Sequence, residues 1–284
     1  MNKNILLSVA QLTDHLRSGS CTVVDCRFDL SDPRKGRAGW LASHIPGAFY
    51  ADLDHDLAAP VEAHTGRHPL PSASEFAGFL ASTGWTKGQL VVAYDEGSNA
   101  ISARLWWMMR YFGQPAALLD GGLAAWVEAG LPLEEGVTVA RLTQPERLEA
   151  DEGMVVSSAD IYRSLDSREL RVLDARARER YSGEVEFLDS KAGHIPGALN
   201  RPFTDNLDGA GRFRDPEWLK VQFEQISEDA HPGEIIHSCG SGVTACHNLF
   251  AMERAGLGVT RLYPGSWSEW IRDPSRPVAT GDNP

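Results

Sequence analysis

His44-Ile45-Pro46-Gly47-Ala48 occurs twice in this chain of 284 residues, the second time as His194-Ile195-Pro196-Gly197-Ala198, 150 positions on. Upstream of each copy a short apolar run ends in Asp: Val23-Val24-Asp25-Cys26-Arg27 and Val172-Leu173-Asp174-Ala175-Arg176. Downstream, Asp120-Gly121-Gly122 with Trp126 answers Pro264-Gly265-Ser266 with Trp270, at a spacing of 144. Four matches in one order, at spacings near half the chain, mean two tandem domains; a solenoid would repeat roughly every 20–50 residues.

Each half alternates short apolar runs with helical patterns. The runs are Val23–Cys26, Leu90–Tyr94 and Ala117–Leu119 in the first half, and Val172–Asp174, Glu234–His237 and Thr260–Tyr263 in the second. Helical stretches such as Ile101–Phe112 and Val243–Ala255 lie between them, each followed by a glycine suited to a C-cap, Gly113 and Gly256. Strands that alternate with helices predict an α/β fold in which each domain is a mainly parallel sheet with helices on both faces. The expected boundaries are a first domain over 1–135, a linker over 136–153 and a second domain over 154–284. The linker stretch is charged, lacks a clear period and holds Pro145.

A net charge of −12 argues against a nucleic-acid binder and disfavours anionic membranes. No run of 18 apolar residues is present to span a bilayer, and the apolar run near the N-terminus is too short for a signal peptide. Four cysteines make no disulfide framework, and neither pair has the spacing of a zinc site. A reducing, cytoplasmic setting with no metal and no organic cofactor is the expectation.

The chemistry is expected in Glu234-Ile235-Ile236-His237-Ser238-Cys239-Gly240-Ser241-Gly242-Val243-Thr244-Ala245. In a parallel sheet, ligands gather beyond the carboxyl ends of the strands. Here a strand runs out into a cysteine, then two glycines within four residues, then a helix. Glycines permit a curl that turns successive N–H groups inward, and the helix start adds more donors. A thiolate at that point is stabilised. Read alone, Cys239 is either such a nucleophile or a small core residue beside a turn. At the spacing of 144 its counterpart is Asp95, followed by Glu96-Gly97-Ser98, so the first half reads as a degenerate copy that repels anions. A Cys-x5-Arg phosphatase would need Arg at position 245, which is Ala. Sulfur transfer needs only the thiolate and donors for a persulfide anion. Cys246 is either a resolving thiol or a buried helix residue.

Asp25-Cys26-Arg27, the two His-Ile-Pro-Gly-Ala copies, Arg104-Leu105-Trp106-Trp107, Leu119–Gly122, Asp174–Arg176, Cys239–Ala245 and Gly265–Trp270 span nearly the whole chain. On these residues the sequence resembles the two-domain rhodanese-like sulfurtransferases, and among them the 3-mercaptopyruvate sulfurtransferases. Members that favour thiosulfate typically carry Arg and Lys after the cysteine, where this chain has Gly240 and Ser241. The resemblance implies that Cys239 becomes a persulfide within a loop of Gly240, Gly242, Val243 and Thr244, and that Arg180 binds substrate. It also implies a proton relay that maps to Ser241 and His44, with Asp32 as the acid ahead of that histidine. Mercaptopyruvate enzymes often add a second arginine before the second His-Ile-Pro-Gly-Ala copy; Glu184–Asp189 contains none, leaving Arg178 or Lys191 as substitutes.

The expected reaction moves a sulfane sulfur from 3-mercaptopyruvate through Cys239 to a thiol, such as thioredoxin, or to cyanide. Thiosulfate is the alternative donor, and a sulfur carrier without turnover is the alternative role. One carboxylate suits a single bidentate arginine, whereas a dianion would want more cations beside the cysteine.

Overall fold

The computed structural model describes residues 4–167, 169–228 and 230–284. The chain divides into two units. The first comprises Met1–Ala59, Leu70–Asp151 and Gly209–Arg212, and the second Pro60–Pro69, Glu152–Asp208 and Phe213–Pro284. Ten residues from the first half of the sequence, 60–69, thus belong to the second unit. Most of the stretch read as a linker packs on the first. Gly136 N donates to Leu41 O, Thr138 Oγ1 to Ala48 O, Thr143 Oγ1 to Trp85 O and Asp151 N to Tyr111 O. A segment without hydrophobic period can still satisfy its backbone against a finished domain.

The first unit runs β1 (Leu6–Leu7), α1 (Val9–Ser18), β2 (Cys21–Asp25), α2 (Arg34–Ala42), β3 (Phe49–Tyr50), α3 (Ala73–Ser82), β4 (Leu90–Tyr94), α4 (Ser102–Tyr111), β5 (Ala116–Leu119) and α5 (Gly122–Glu128). Its sheet has the order β1-β5-β4-β2-β3, and every pair is parallel. The second runs α6 (Ser158–Ser164), β6 (Arg171–Asp174), α7 (Arg178–Ser182), β7 (Leu199–Asn200), α8 (Pro216–Ser227), β8 (Ile235–Ser238), α9 (Ala245–Arg254), β9 (Arg261–Leu262) and α10 (Ser266–Trp270). Its sheet, β7-β6-β8-β9, is also parallel throughout. Central strands covered on both sides read as continuous apolar runs, which is why Val91–Tyr94 and Ala116–Leu119 are buried at every position. Capping boxes at Ser8/Gln11, Ser72/Glu75 and Ser157/Asp160 start α1, α3 and α6.

The repeated residues build the same joints in both units. Asp25, at the end of β2, accepts Arg27 Nε, and Arg27 Nη2 reaches Ser43 O at 2.6 Å. Asp174, at the end of β6, accepts Arg176 Nε, and Arg176 Nη2 reaches Gly193 O at 2.8 Å. Each bond thus ties a strand end to the residue before a His-Ile-Pro-Gly-Ala copy. His44 Nδ1 lies 2.7 Å from Trp40 O, and His194 Nδ1 lies 2.9 Å from Tyr181 O. Gly47 and Gly197 both turn at positive φ, +76° and +81°. Trp126 and Trp270 each sit in their unit's core and donate Nε1 to Pro132 O and Pro277 O.

Candidate active site

β8 ends at Ser238, and the chain curls through Cys239–Thr244 before α9 begins. Cys239 is 2% exposed, and its Sγ accepts the Gly242 N–H at 3.1 Å. The loop is pinned from α10 and its approach. Cys239 N donates to Ser266 Oγ, Trp267 N to Cys239 O and Ser268 N to Gly240 O. Gly242 has φ +75°, and a Cβ there would lie 2.2 Å from Pro264 O, so the curl is built for glycine. The N–H groups of Gly240, Ser241, Val243 and Thr244 have no acceptor among the described residues. They belong to the same curl as the thiol, which already receives one backbone donor, and free N–H groups in such a curl can hold an added anionic group.

The first unit shows what the same curl does without the cysteine. Asp95, after β4, turns its own carboxylate into the loop. Oδ1 accepts Gly97 N and Asn99 N, and Oδ2 accepts Ile101 N and Ser102 N. Asp95 therefore supplies the anion itself, and burial holds its carboxyl above the usual range against those four donors.

Ser241, 6% exposed, places Oγ 2.7 Å from Nδ1 of His68, which is 5% exposed. The expected Ser241–His44 pair does not form. His44 lies inside the first unit with Nδ1 on Trp40 O and Nε2 on Thr138 Oγ1. Asp32 sits on a loop against Arg34 and contributes to neither histidine's bonds. His68 is delivered by the 60–69 segment, whose path is tight. A Cβ on Gly66 would lie 2.5 Å from Gly265 O, and Arg67 N donates to Ser268 Oγ at 3.0 Å. Sequence reading missed His68 because it sits in a loop with no period and no motif partner nearby. A signal was nevertheless present: His44 recurs as His194, and both histidines make the same backbone joint in their units.

The same segment brings Arg67. Its Nη1 pairs with Asp189 Oδ1, and a Cβ on Gly240 would lie 2.9 Å from its Nη2. Arg180 approaches the same point, with Nη1 3.6 Å from that Cβ position. Arg180 Nη2 holds Glu186 at 2.8 Å and Asp189 at 3.2 Å. Two Nη groups from separate segments thus converge over Gly240 without a hydrogen-bond partner among the described residues. Burial alone would push Glu186 up; the Arg180 hydrogen bonds hold it below the usual carboxylate range. Asp189 is held above that range by burial, with Arg67 pulling the other way. Arg178, one of the two expected substitutes, instead pairs with Asp282 at 72% side-chain exposure. Lys191, the other, is exposed, and its carbonyl accepts Trp267 Nε1. Cys246 is fully buried in α9, with Sγ 3.4 Å from Gly242 O. Among the described residues no group of three His, Cys, Asp or Glu is placed to hold a metal ion.

The model of the rhodanese-like domain matches residues 8–129 and 157–273. The chain belongs to the rhodanese-like family. It is 47% identical over 285 residues to a protein of Pseudomonas aeruginosa called "Probable 3-mercaptopyruvate sulfurtransferase", covering 99% of this chain and 100% of that one. It is 37% identical over 248 residues to the human 3-mercaptopyruvate sulfurtransferase, covering 84% and 80%. The solved 3-mercaptopyruvate sulfurtransferase from Leishmania major superposes with a TM-score of 0.84 at 31% identity, covering 95% of this chain and 75% of that one.

Proposed function

We infer that the chain is a sulfurtransferase that takes a sulfane sulfur from 3-mercaptopyruvate onto Cys239. The observation that carries this reading is the pair of unengaged Nη groups, from Arg67 and Arg180, over Gly240 beside a buried cysteine whose Sγ accepts the Gly242 N–H. A carboxylate bridges two such donors well. The donor's thiol then lies toward Cys239. The Cys239 thiolate attacks that sulfur, the S–S bond forms and the C–S bond breaks. The electron pair leaves on carbon as the enolate of pyruvate, which takes a proton. We assign that proton relay to Ser241 Oγ, a reading supported by its 2.7 Å contact with His68 Nδ1.

The persulfide that remains is held by the loop N–H groups until an acceptor takes the outer sulfur. A small thiol, reduced thioredoxin or cyanide has the nucleophilicity required. Splitting the transfer into two displacements is what covalent catalysis offers. No helix among the described residues is long and apolar enough to cross a membrane. Four free thiols fit a reducing, cytoplasmic setting.

Thiosulfate is the competing donor. The two guanidiniums over Gly240 already share buried acids, so little surplus positive charge is left for a dianion. The test is a side-by-side steady-state assay with both donors, joined to mass spectrometry after donor treatment and desalting. A higher kcat/KM with mercaptopyruvate is expected, with one added sulfur atom on Cys239 and none in Cys239→Ser. A higher kcat/KM with thiosulfate would assign the pocket to that donor, and sulfur on Cys246 or Cys26 would move the site.

A further inference from the structure

We propose that Asp189 is a specificity-determining residue of this pocket, whose carboxylate cancels the surplus positive charge beside Cys239 and so selects a monoanionic sulfur donor over a dianionic one. The inference rests on the sulfurtransferase reading and adds to it the residue that sets donor charge.

Three guanidiniums and three carboxylates make up the cluster next to the loop. Arg176 is committed to Asp174 through Nε and Nη2, and its Nη1 lies 3.6 Å from Glu186. Arg180 is committed to Glu186 through Nε and Nη2. Asp189 differs from the other two acids. It is shared between Arg67 and Arg180, the two residues whose remaining Nη groups face Gly240. It is also only 4% exposed on its side chain, so water screens its field poorly. An incoming anion therefore meets two directional donors without a net positive field. One carboxylate can be satisfied by those donors. A second negative charge on the same ligand finds no cation left to offset it.

The experiment reads one ratio, kcat/KM for thiosulfate over kcat/KM for mercaptopyruvate, in four proteins at low ionic strength. Persulfide formation on Cys239 by each donor is first verified in the parent. Asp189→Asn keeps the shape and removes one negative charge, so the ratio is expected to rise by roughly 5- to 30-fold. Arg67→Gln removes one positive charge from a side chain that is partly exposed, and the ratio is expected to fall. The double variant restores the charge balance without leaving an unpaired member, and its ratio is expected to return toward that of the parent. A ratio unchanged in both single variants, or moved in the same direction by both, overturns the proposal. If Asp189→Asn does not fold, the direction of the Arg67→Gln shift decides alone, and no fall in the ratio overturns it. A parent that loads sulfur on Cys239 from neither donor overturns the functional reading, and this proposal with it.

Discussion

Ser241 Oγ and His68 Nδ1 lie 2.7 Å apart although 173 residues separate them in the chain. The pair puts a hydroxyl and an imidazole two residues beyond the cysteine that β8 presents. Removing either group should slow protonation of the departing enolate. Ser241→Ala and His68→Gln are expected to lower kcat with mercaptopyruvate by about 10²-fold. Thiosulfate should suffer much less, because sulfite leaves as a stable anion that needs no proton. Equal losses with both donors would assign the pair a structural role. His44→Gln is the contrasting case: it should cost about 1–3 kcal/mol of stability through lost buried hydrogen bonds and leave both rates within about twofold.

Arg180→Ala should reduce kcat/KM for mercaptopyruvate by about 10- to 150-fold, the range for losing a charge-assisted hydrogen bond in the transition state. Arg178 is the control two residues away. Its guanidinium lies at the surface on Asp282, and such pairs contribute about 0–1 kcal/mol. Steady-state kinetics of Arg178→Ala should match the parent, and a larger loss there than in Arg180→Ala would exchange their roles.

The two loop glycines should fail differently. A Cβ at Gly240 meets the far end of the Arg67 side chain at 2.9 Å, which can swing aside, and Gly240 is not among the residues with positive φ. Gly240→Ala is expected to fold with a stability change under about 1 kcal/mol and to lose donor affinity, because Arg67 is displaced. At Gly242 the same methyl group meets backbone, Pro264 O at 2.2 Å, from a φ of +75°. Gly242→Ala should lose about 1–3 kcal/mol or more in urea denaturation, whatever happens to the rate.

His237, in β8, should make stability depend on pH. Burial, and secondarily Arg201, push its imidazole down to about 3, from an ordinary value of 6.5. The folded state therefore keeps it neutral, with Nε2 at 3.2 Å from Met252 Sδ, while the unfolded chain takes up a proton below pH 6.5. Its contribution is fully present above that pH and is lost as pH falls toward 3. Between pH 7 and pH 5 the loss should be about 2 kcal/mol. Denaturant titrations of His237→Leu should show a drop smaller by that amount.

Much of this was legible one residue at a time. The alternation of β-branched runs with helical patterns is local, so β2, β4, β5, β6, β8 and β9 could be read near their true places. The curl at Cys239 was legible for the same reason, since strand, cysteine, glycines and helix are consecutive and each constrains the next. Asp95 could be recognised as the degenerate counterpart from register alone, although its use of the carboxylate to fill its own cradle could not.

The sequence by itself determined the tandem α/β architecture and singled out the strand–cysteine–glycine–helix segment, because periodicity, turn chemistry and an internal repeat act over short stretches of chain. Only the tertiary structure decided which histidine faces Ser241 and which second arginine stands over Gly240. Both choices depend on residues 60–69 joining the second unit, far in sequence from Cys239. A contact across 173 residues leaves no periodic trace, since any loop histidine would read the same. The resemblance implies His44 as the relay, but His44 belongs to a joint of the fold that is repeated in both units, whereas only the second unit places a cysteine directly after its central strand, where the first has Asp95.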